Sequence, residues 1–471
     1  MRVGIPLDTN YESTRLPAVS QQTLNYYPHS LRGYRPYPGL VSFSDFLGET
    51  EALNDSSSNP ILASDGALRT SVTPGGDDRG MKAMGGILYI VSGPSLFSVN
   101  VSGITSYLGA IANSPNPVVM DEDGTQLVIT TGSTMYVYTA SGGLSAVTDT
   151  DISTPWTNGY IDSRFIVDQP EDRFYVSDLN DATAYDALNF ATAEATRDGL
   201  KRVFTYNQMA YMMGGETIEP WYTSGIGKPP LDRQSVISVG LAGRWAIDAI
   251  SNTIYFIDNK MRPSVMEGAA TKPIYTTSAL GKEWGTYSKA AMESSRVNCY
   301  SIDEENFVDF IFPTISKCWT YHEASGKFFE KTFVTTSLIE IYGKLLAADA
   351  TKGILYEVTD TANTNNGDAI TFRKDSKMIT SEVFGVNGKD LTLNTLTITF
   401  EASASATVSV YLSKDLTTFS NPRTFTLLAG NSKRTLTGFG KVHEGILRIE
   451  HSSDASVDVL DLAAEVDFID A

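Results

Sequence analysis

The stretch Gly85-Gly-Ile-Leu-Tyr-Ile-Val-Ser-Gly-Pro-Ser-Leu-Phe-Ser-Val, residues 85–99, decides the fold of this chain. It opens on a glycine pair, continues as an apolar run, turns again at Ser-Gly-Pro and closes with a second apolar run. Glycine supplies the positive φ angles of tight turns, and short aromatic and β-branched runs fit a pleated, half-buried surface. The stretch therefore predicts a β-hairpin.

The same pattern recurs along the chain. Further copies occupy residues 124–138, 163–176, 208–222, 243–257, 306–321 and 343–358. Their spacing is roughly 40 residues with scatter, which is the length of one blade of a β-propeller. A single hairpin cannot bury its apolar face, whereas a closed ring of hairpins can, and it leaves few exposed edges. The repeats predict an all-β fold, a six- or seven-bladed β-propeller with its body at residues 81–360. A β-sandwich or a solenoid is the alternative.

The segments outside the repeats have a different residue pattern. Residues 1–80 predict an N-terminal strap and the first propeller elements, and the polar stretch 358–368 predicts a domain boundary. Alternating runs at residues 395–400, 407–412, 423–428, 445–450 and 457–462 follow. They predict a small antiparallel β-sandwich over residues 369–471. Few segments have the pattern of an α-helix, and the alanine-rich residues 182–196 predict a loop with a helical turn.

The charge balance limits the partners. The 471 residues carry a formal net charge of −19, and no Lys/Arg cluster is longer than the pair Lys201-Arg202. Tight DNA binding needs basic patches that release counterions from the phosphates, so it is not expected here. The negative charge either lets a duplex slide past without sticking or simply keeps a large protein soluble.

The two cysteines and the apolar runs bear on location. Cys299 and Cys318 lie in segments with the pattern of β-strands, which favours buried free thiols over a disulfide bridge. The N-terminus shows no apolar signal region, and no apolar run is long enough to span a membrane. We expect synthesis in a cytoplasm and no membrane insertion.

Residue types that carry chemistry form no expected catalytic or metal site, and we expect no cofactor. His29, His322, His443 and His451 are far apart and none stands at ligand spacing from a Cys or Asp. The segment Asp121-Glu-Asp-Gly-Thr has alternating carboxylates but lacks the rest of a calcium loop, so it predicts a hairpin turn between blades.

Propeller glycosidases use a pair of carboxylates a few ångströms apart. The acidic residues that offer such a pair by chance are Asp162, Asp178, Glu219, Asp248 and Asp258. No intact sialidase-type box, phosphate loop or nucleophile elbow accompanies them. The sequence therefore predicts a protein that is not an enzyme.

A basic and aromatic patch lies near the N-terminus. It consists of Arg15, Arg32, Tyr34, Arg35 and Tyr37. Its arginines and tyrosines suit an interface or channel contact with DNA or with an acidic neighbour. The alternative is that this segment packs as a strap across a blade.

Several motifs follow one another in a characteristic order. They are Gln22-Thr-Leu-Asn-Tyr-Tyr-Pro, Arg35-Pro-Tyr-Pro-Gly-Leu, the hairpin at 162–181, Arg197-Asp-Gly-Leu, Gly214-Gly-Glu-Thr-Ile-Glu, Gly240-Leu-Ala-Gly and Tyr411-Leu-Ser-Lys-Asp-Leu-Thr-Thr-Phe. Their order resembles that of the packaged-DNA stabilisation family of short-tailed phages, also called tail hub or nozzle proteins. The last motif departs from the family, since Leu416 stands where glycine is usual.

The resemblance implies a propeller with a C-terminal β domain, no enzymatic activity and a homohexameric ring below the portal and adaptor proteins. It implies a virion tail protein, assembled in the host cytoplasm, that closes the DNA channel and stabilises packaged DNA. Its further partners would be the tail needle or tail fibre or spike proteins, with transient non-specific contact to passing DNA. The alternative function is a glycan-binding or glycan-cleaving propeller that acts on the cell envelope.

Overall fold

The fold is described by a computed structural model over residues 1–5, 7, 22–29, 33–46, 75–193, 198–274, 279–386 and 389–470. Five four-stranded antiparallel sheets stand alone, and two further sets of four strands belong to larger sheets. The described part of the chain therefore builds seven blades, followed by a β-sandwich. The predicted propeller is confirmed. Arg15 and Arg32 lie outside the described residues.

The strands follow in chain order. The N-terminal strands are β1 (Arg2–Gly4), β2 (Thr23–Leu24), β3 (Tyr26–His29), β4 (Gly33–Pro36) and β5 (Gly39–Asp45). Blade 1 consists of β6 (Asp78–Met84), β7 (Ile87–Ser92), β8 (Ser95–Val99) and β9 (Thr105–Ala110). Blade 2 consists of β10 (Val119–Glu122), β11 (Gln126–Thr130), β12 (Met135–Thr139) and β13 (Gly143–Ala146). Blade 3 consists of β14 (Asn158–Ile161), β15 (Arg164–Gln169), β16 (Arg173–Asp178) and β17 (Asp181–Thr192).

The later blades follow the same plan. Blade 4 consists of β18 (Arg202–Tyr206), β19 (Met209–Met213), β20 (Ile218–Thr223) and β21 (Leu231–Arg233). Blade 5 consists of β22 (Ile247–Ile250), β23 (Thr253–Ile257), β24 (Pro263–Glu267) and β25 (Ala270–Pro273). The helices α1 (Ala279–Trp284) and α2 (Lys289–Glu293) lead to blade 6, which has β26 (Arg296–Ile302), β27 (Glu305–Phe312), β28 (Lys317–His322) and β29 (Lys327–Lys331). A 3-10 turn at Pro313–Ile315 joins β27 to β28.

The last blade takes one strand from the N-terminal segment. Blade 7 contains β30 (Thr335–Ile341), β31 (Lys344–Asp349) and β32 (Ile354–Thr359), and β5 pairs antiparallel with β32 as its fourth strand. The innermost strand β30 lies beside β6 of blade 1. The ring is thus closed by backbone hydrogen bonds between chain segments far apart in sequence, so blade 7 exposes no bare edge at β32.

Tight turns connect the first and second strands of most blades. Both central residues have positive φ at Gly85-Gly86, Asp162-Ser163, Asn207-Gln208, Ser251-Asn252, Asp303-Glu304 and Tyr342-Gly343. This is the mark of a type I′ turn, whose twist matches that of the flanking strands. In blade 2 the loop is longer by one residue and contains Asp123 and Gly124. The predicted turn at 121–125 is therefore present, although it lies within blade 2 and not between blades.

The apolar core of the propeller lies between consecutive blades. Val91 and Leu96 of blade 1, for example, share a cluster with Leu127 and Ile129 of blade 2, all four being buried. Similar clusters fill the junctions further round the ring. Each blade therefore depends on its neighbours for burial of its faces, as the repeat pattern indicates.

The alanine-rich segment does not form the expected helical turn. Its described part belongs to the long strand β17, which pairs with β16 through two register shifts. Tyr185 is buried, and Phe190 stacks on Tyr175 with ring centroids 5.5 Å apart. The prediction was wrong because cross-strand packing of these aromatic side chains outweighs the weak helix propensity of short alanine runs.

Both ends of the chain build the sandwich. Strands β33 (Thr364–Asn365) and β34 (Asp368–Ala369) lie between blade 7 and the sandwich in the sequence. The remaining sandwich strands are β35 (Phe372–Asp375), β36 (Lys389–Ala402), β37 (Ala406–Ser413), β38 (Arg423–Leu427), β39 (Gly430–Val442), β40 (Ile446–His451) and β41 (Val457–Asp470), with a 3-10 turn at Glu382–Phe384. One sheet has the order β3-β4-β41-β36-β39, with β1 also paired to β41. The other face contains β35, β40, β37 and β38. Strands β33 and β34 extend the sheet of blade 7.

The sandwich and the propeller share one sheet. Strand β2 pairs with β29 of blade 6 on one side and with β35 of the sandwich on the other, giving a continuous nine-stranded sheet. At the chain ends, the Met1 amine donates to the Val466 carbonyl at 2.8 Å. The N-terminal segment thus does more than cross a blade, since it supplies strands to both parts of the protein.

Candidate functional site: the central channel and the N-terminal strap

A cavity of about 230 Å³ lies in the central channel, between the innermost strands of the blades. Its lining includes Arg79, Arg202, Arg296 and Ser337, which stand at or near the first residues of innermost strands, and Trp245, just before β22. Blades 1, 4, 5, 6 and 7 therefore all contribute to one cavity, and Val119 and Met120 of blade 2 complete its lining. It lies at the end of the channel opposite the type I′ turns, because each turn follows the end of an innermost strand.

The lining of this channel cavity carries both signs of charge. Just outside the lining, the Asp78 carboxylate accepts from Arg296 Nη1 at 3.1 Å and from the Thr336 hydroxyl at 2.7 Å. The Asp248 carboxylate accepts from the backbone N–H groups of Cys299 and Ala249, and burial raises its pKa to about 6. The two carboxylates are thus already engaged by protein donors.

The predicted N-terminal patch is held against the protein where the structure describes it. Tyr34 is buried, with the Lys374 ammonium 4.0 Å from its ring centroid. Tyr37 is buried, and its hydroxyl donates to Tyr300 at 3.0 Å. Arg35 pairs with Asp303 at 2.9 Å and reaches an oxygen of Asp360 at 3.4 Å. This is the packing expected of a strap, and contact of the patch with DNA or a neighbour stays a prediction.

Asn25 joins three parts of the molecule. Its side chain donates to the Thr332 hydroxyl at 2.7 Å and to the Thr371 carbonyl at 2.9 Å, and its oxygen accepts from the Thr332 backbone N–H at 2.8 Å. Thr332 follows blade 6, whereas Thr371 precedes the sandwich strand β35. Asn25 is 3% exposed and has a φ of 55°, which asparagine tolerates better than most residues. The asparagine of the Asn-Tyr-Tyr-Pro motif therefore fastens the strap at the junction of propeller and sandwich.

The two tyrosines after Asn25 point to opposite sides of strand β3. Tyr26 enters the sandwich core and donates to the Val457 carbonyl at 2.7 Å. Tyr27 enters the cluster between blades 6 and 7, where its ring meets Phe307 edge-on at 5.3 Å. Alternation along a strand thus lets one dipeptide anchor both domains.

Three other motifs form one loop structure beside blade 4. The Asp198 carboxylate accepts from the backbone N–H of Thr217 at 2.7 Å. Gly214 and Gly215 lie so close to Asp198 that an added Cβ would approach its atoms to 2.6 Å, and one on Gly240 would approach Gly215 to 2.1 Å. These glycines are required for close packing, and the motifs Asp-Gly-Leu, Gly-Gly-Glu-Thr and Gly-Leu-Ala-Gly are structural.

The C-terminal motif forms a turn whose central position favours glycine, although leucine stands there in this chain. Asp415 accepts from the backbone N–H groups of Thr417 and Thr418, and these hydrogen bonds hold its pKa well below the usual range. Leu416, at the centre of this turn, has a φ of 66°. A position with positive φ favours glycine, which accounts for the glycine usual in the family.

The groups considered for catalysis have structural partners. Glu219 pairs with Arg233, and Asp258 is bound by Arg262 at 2.7 Å. His451 Nε2 lies 2.9 Å from the Tyr26 hydroxyl. No group of three or more His, Cys, Asp or Glu side chains that could hold a metal ion is found within the described ranges.

Both cysteines are free thiols, as expected from their strand-like surroundings. Cys318 is buried on β28 of blade 6, and Cys299 is partly buried on β26 of the same blade. Burial raises the pKa of both thiols, so that neither is a ready nucleophile. Among the helices that the structure describes, none is long and apolar enough to cross a membrane.

Comparison with known families decides the relationship. Residues 55–338 match the phage stabilisation family, described as "Bacteriophage P22 Gp10, beta-propeller". The chain belongs to this family. The match spans well over half of the 471 residues, covers blades 1 to 6 and ends within β30, the first strand of blade 7. The resemblance drawn from the ordered motifs is thereby confirmed, and the protein is a phage structural protein of the DNA-stabilisation class.

Other comparisons give no closer relationship. No curated protein matches this phage propeller significantly. Among solved structures, the computationally designed Ika8 protein aligns with a TM-score of 0.40 and 10% identity over 75% of this chain and 99% of its own. The N-terminal domain of Nup159 aligns with a TM-score of 0.39 and 8% identity, over 72% and 98% of the two chains. These likenesses are too weak to bear on function.

Two functional features were missed from the sequence of this phage propeller. The clasp at Asn25 depends on partners about 300 residues away, which no local pattern reveals. The channel arginines left a faint signal, since an Arg-Val pair opens the first strand both at Arg202 and at Arg296. In a closed ring such equivalent positions meet at one end of the channel.

Proposed function

We propose that this phage propeller is a structural tail component that forms a ring below the portal and adaptor proteins and closes the channel through which DNA passes. Membership of the phage stabilisation family is the observation that carries the proposal. The task is steric and mechanical, so it requires rigidity and repeated contacts and does not require a reactive group. Six copies around the tail axis would supply such contacts by symmetry.

The architecture suits a load-bearing role. The ring of blades is closed through β5, and the nine-stranded sheet makes the sandwich continuous with blade 6. A pull on the sandwich is therefore transmitted to the propeller by backbone hydrogen bonds and by the Asn25 side chain. The net charge of −19 supports passage of the DNA without tight binding, because a strongly acidic protein holds DNA phosphates weakly.

Contact between copies is proposed to involve loops at the outer edges of the blades together with the sandwich. Leu188 on β17 and Ile226 in the β20–β21 loop are 69% and 80% exposed. The two segments are held together by the Lys228–Asp186 ion pair, so they form one partly apolar surface. Arg35, at the edge of the described N-terminal patch, is proposed as a contact to an acidic neighbour at the same ring interface.

The proposal is tested with phage particles made without this chain. Such particles should package DNA and then lose it, whereas particles that also receive the protein from a plasmid should retain full genomes. Electron microscopy of the purified protein mixed with portal and adaptor should show a stacked ring. Particles that keep their genomes in the absence of the chain would contradict the proposed function.

Contact between copies is tested with the double variant Leu188→Asp with Ile226→Asp, which should form fewer rings than the wild type in the electron micrographs. Arg173→Gln, on another part of blade 3, serves as the matched surface control.

A further inference from the structure

Four side chains that line the channel cavity have unused hydrogen-bond donors. Nη2 of Arg79, Nε of Arg202, Nε of Arg296 and Nε1 of Trp245 are buried and donate to no acceptor within the described residues. A buried donor without an acceptor costs roughly 1–3 kcal/mol, and native interiors leave few of them. Four such donors around one cavity indicate that the cavity holds an acceptor.

The surroundings of these donors carry an excess of positive charge. Arg79 is 1% exposed, and within the described residues its guanidinium donates only to the backbone carbonyls of Asn116, Gly93 and Ala112. The Arg202 guanidinium makes no hydrogen bond to a protein acceptor in the part of the chain that the structure describes. Burial lowers the pKa of both arginines to about 10, which still leaves them charged at neutral pH.

The carboxylates nearby do not supply the missing acceptors. Asp78 already receives Arg296 Nη1, and the hydroxyls of Thr336 and Ser337 bind the same oxygen. Asp248 interacts electrostatically with Arg202, but its oxygens accept from the backbone N–H groups of Ala249 and Cys299. The lining therefore holds three guanidinium groups against one carboxylate, that of Asp248. The Asp78 carboxylate, just outside the lining, is already shared by four protein donors.

We propose that this end of the channel binds a tetrahedral oxyanion, phosphate or sulfate. Sulfate has only acceptor oxygens and phosphate has mostly acceptor oxygens, and these oxygens match the planar donor fork of arginine. The cavity of about 230 Å³ is far larger than the ~10–15 Å³ that a single water requires. Water alone would satisfy the donors without neutralising their charge.

The bound oxyanion would tie the ring together from inside. The three arginines Arg79, Arg202 and Arg296 belong to blades 1, 4 and 6. No two of these blades are neighbours in the ring. A ligand that binds only the folded ring stabilises it by mass action. The inference concerns this monomer and holds whether or not the chain forms the tail ring proposed above.

The test uses the purified full-length protein and thermal unfolding. Sodium phosphate or sodium sulfate is titrated at constant ionic strength against sodium chloride. The unfolding midpoint should rise with the logarithm of phosphate or sulfate concentration in the wild type, and this rise should be lost in Arg202→Gln. The surface variant Arg173→Gln, in which the lost charge pairs with Glu171, should keep the response. Equal responses in wild type and Arg202→Gln, or no response in the wild type, would overturn the proposal.

A second measurement does not depend on a variant that folds. Crystals of the wild-type protein are soaked in sodium tungstate, a tetrahedral oxyanion with a strong anomalous signal. A peak within hydrogen-bonding distance of Arg202 and Arg296 supports the site. A cavity that contains only water-sized peaks, with tungstate bound elsewhere as an adventitious ion only, refutes it.

Discussion

Replacement of Asn25 tests whether the strap clasps the two domains. Asn25→Ala removes three buried hydrogen bonds to Thr332 and Thr371, each worth about 1 kcal/mol. Alanine at a φ of 55° adds about 1 kcal/mol of backbone strain. We therefore expect the free energy of unfolding to fall by about 4 kcal/mol. Because all five tryptophans lie between residues 156 and 319, fluorescence in a urea titration follows the propeller, and circular dichroism follows both domains.

The matched control separates the two contributions. Asn25→Gly loses the same three hydrogen bonds but adopts the positive φ without strain, so it should be more stable than Asn25→Ala by about 1 kcal/mol. Loss of the clasp should also make the sandwich unfold at a lower urea concentration in both variants, because Asn25 anchors β2 and β3 to the sandwich. An unfolding free energy for Asn25→Ala within about 0.5 kcal/mol of the wild type would refute this account.

Three further changes follow from buried groups and backbone geometry. Lys331→Met leaves the fully buried Asp309 carboxylate without its counter-charge and should cost about 3–5 kcal/mol in urea unfolding, while Lys317→Met, at a part-exposed pair, should cost under about 1 kcal/mol. Leu416→Gly should raise the thermal midpoint through a gain of about 0.5–1 kcal/mol, because glycine relieves the φ of 66°, and a lower midpoint would contradict the strain argument. Burial lowers the pKa of His451 to about 3, so between pH 6.5 and 3 the unfolded chain binds a proton that the folded protein does not. Stability should fall by about 1 kcal/mol per pH unit as the pH drops through this window, and His451→Gln should show a shallower slope.

The sequence alone determined the blades of the propeller. Turn residues and alternating apolar runs, as in residues 85–99, act over a few positions and need no distant partner to be recognised. The period of roughly 40 residues then restricts the architecture to a ring or stack of equivalent units. The order of weak motifs was enough to indicate the phage family, which the match over residues 55–338 confirms.

Only the tertiary structure decided how the chain ends are used and what the channel contains. The pairing of β5 with β32 joins residues more than 300 positions apart, and β1, β3 and β4 enter a sheet formed mainly by the C-terminal strands. Such contacts carry no local signature, because any exposed strand edge is a chemically equivalent partner. The arginines at the channel end are ordinary charged residues in the sequence. Ring closure makes them a cluster, since it brings the first residues of separate blades to one axis and removes them from bulk water.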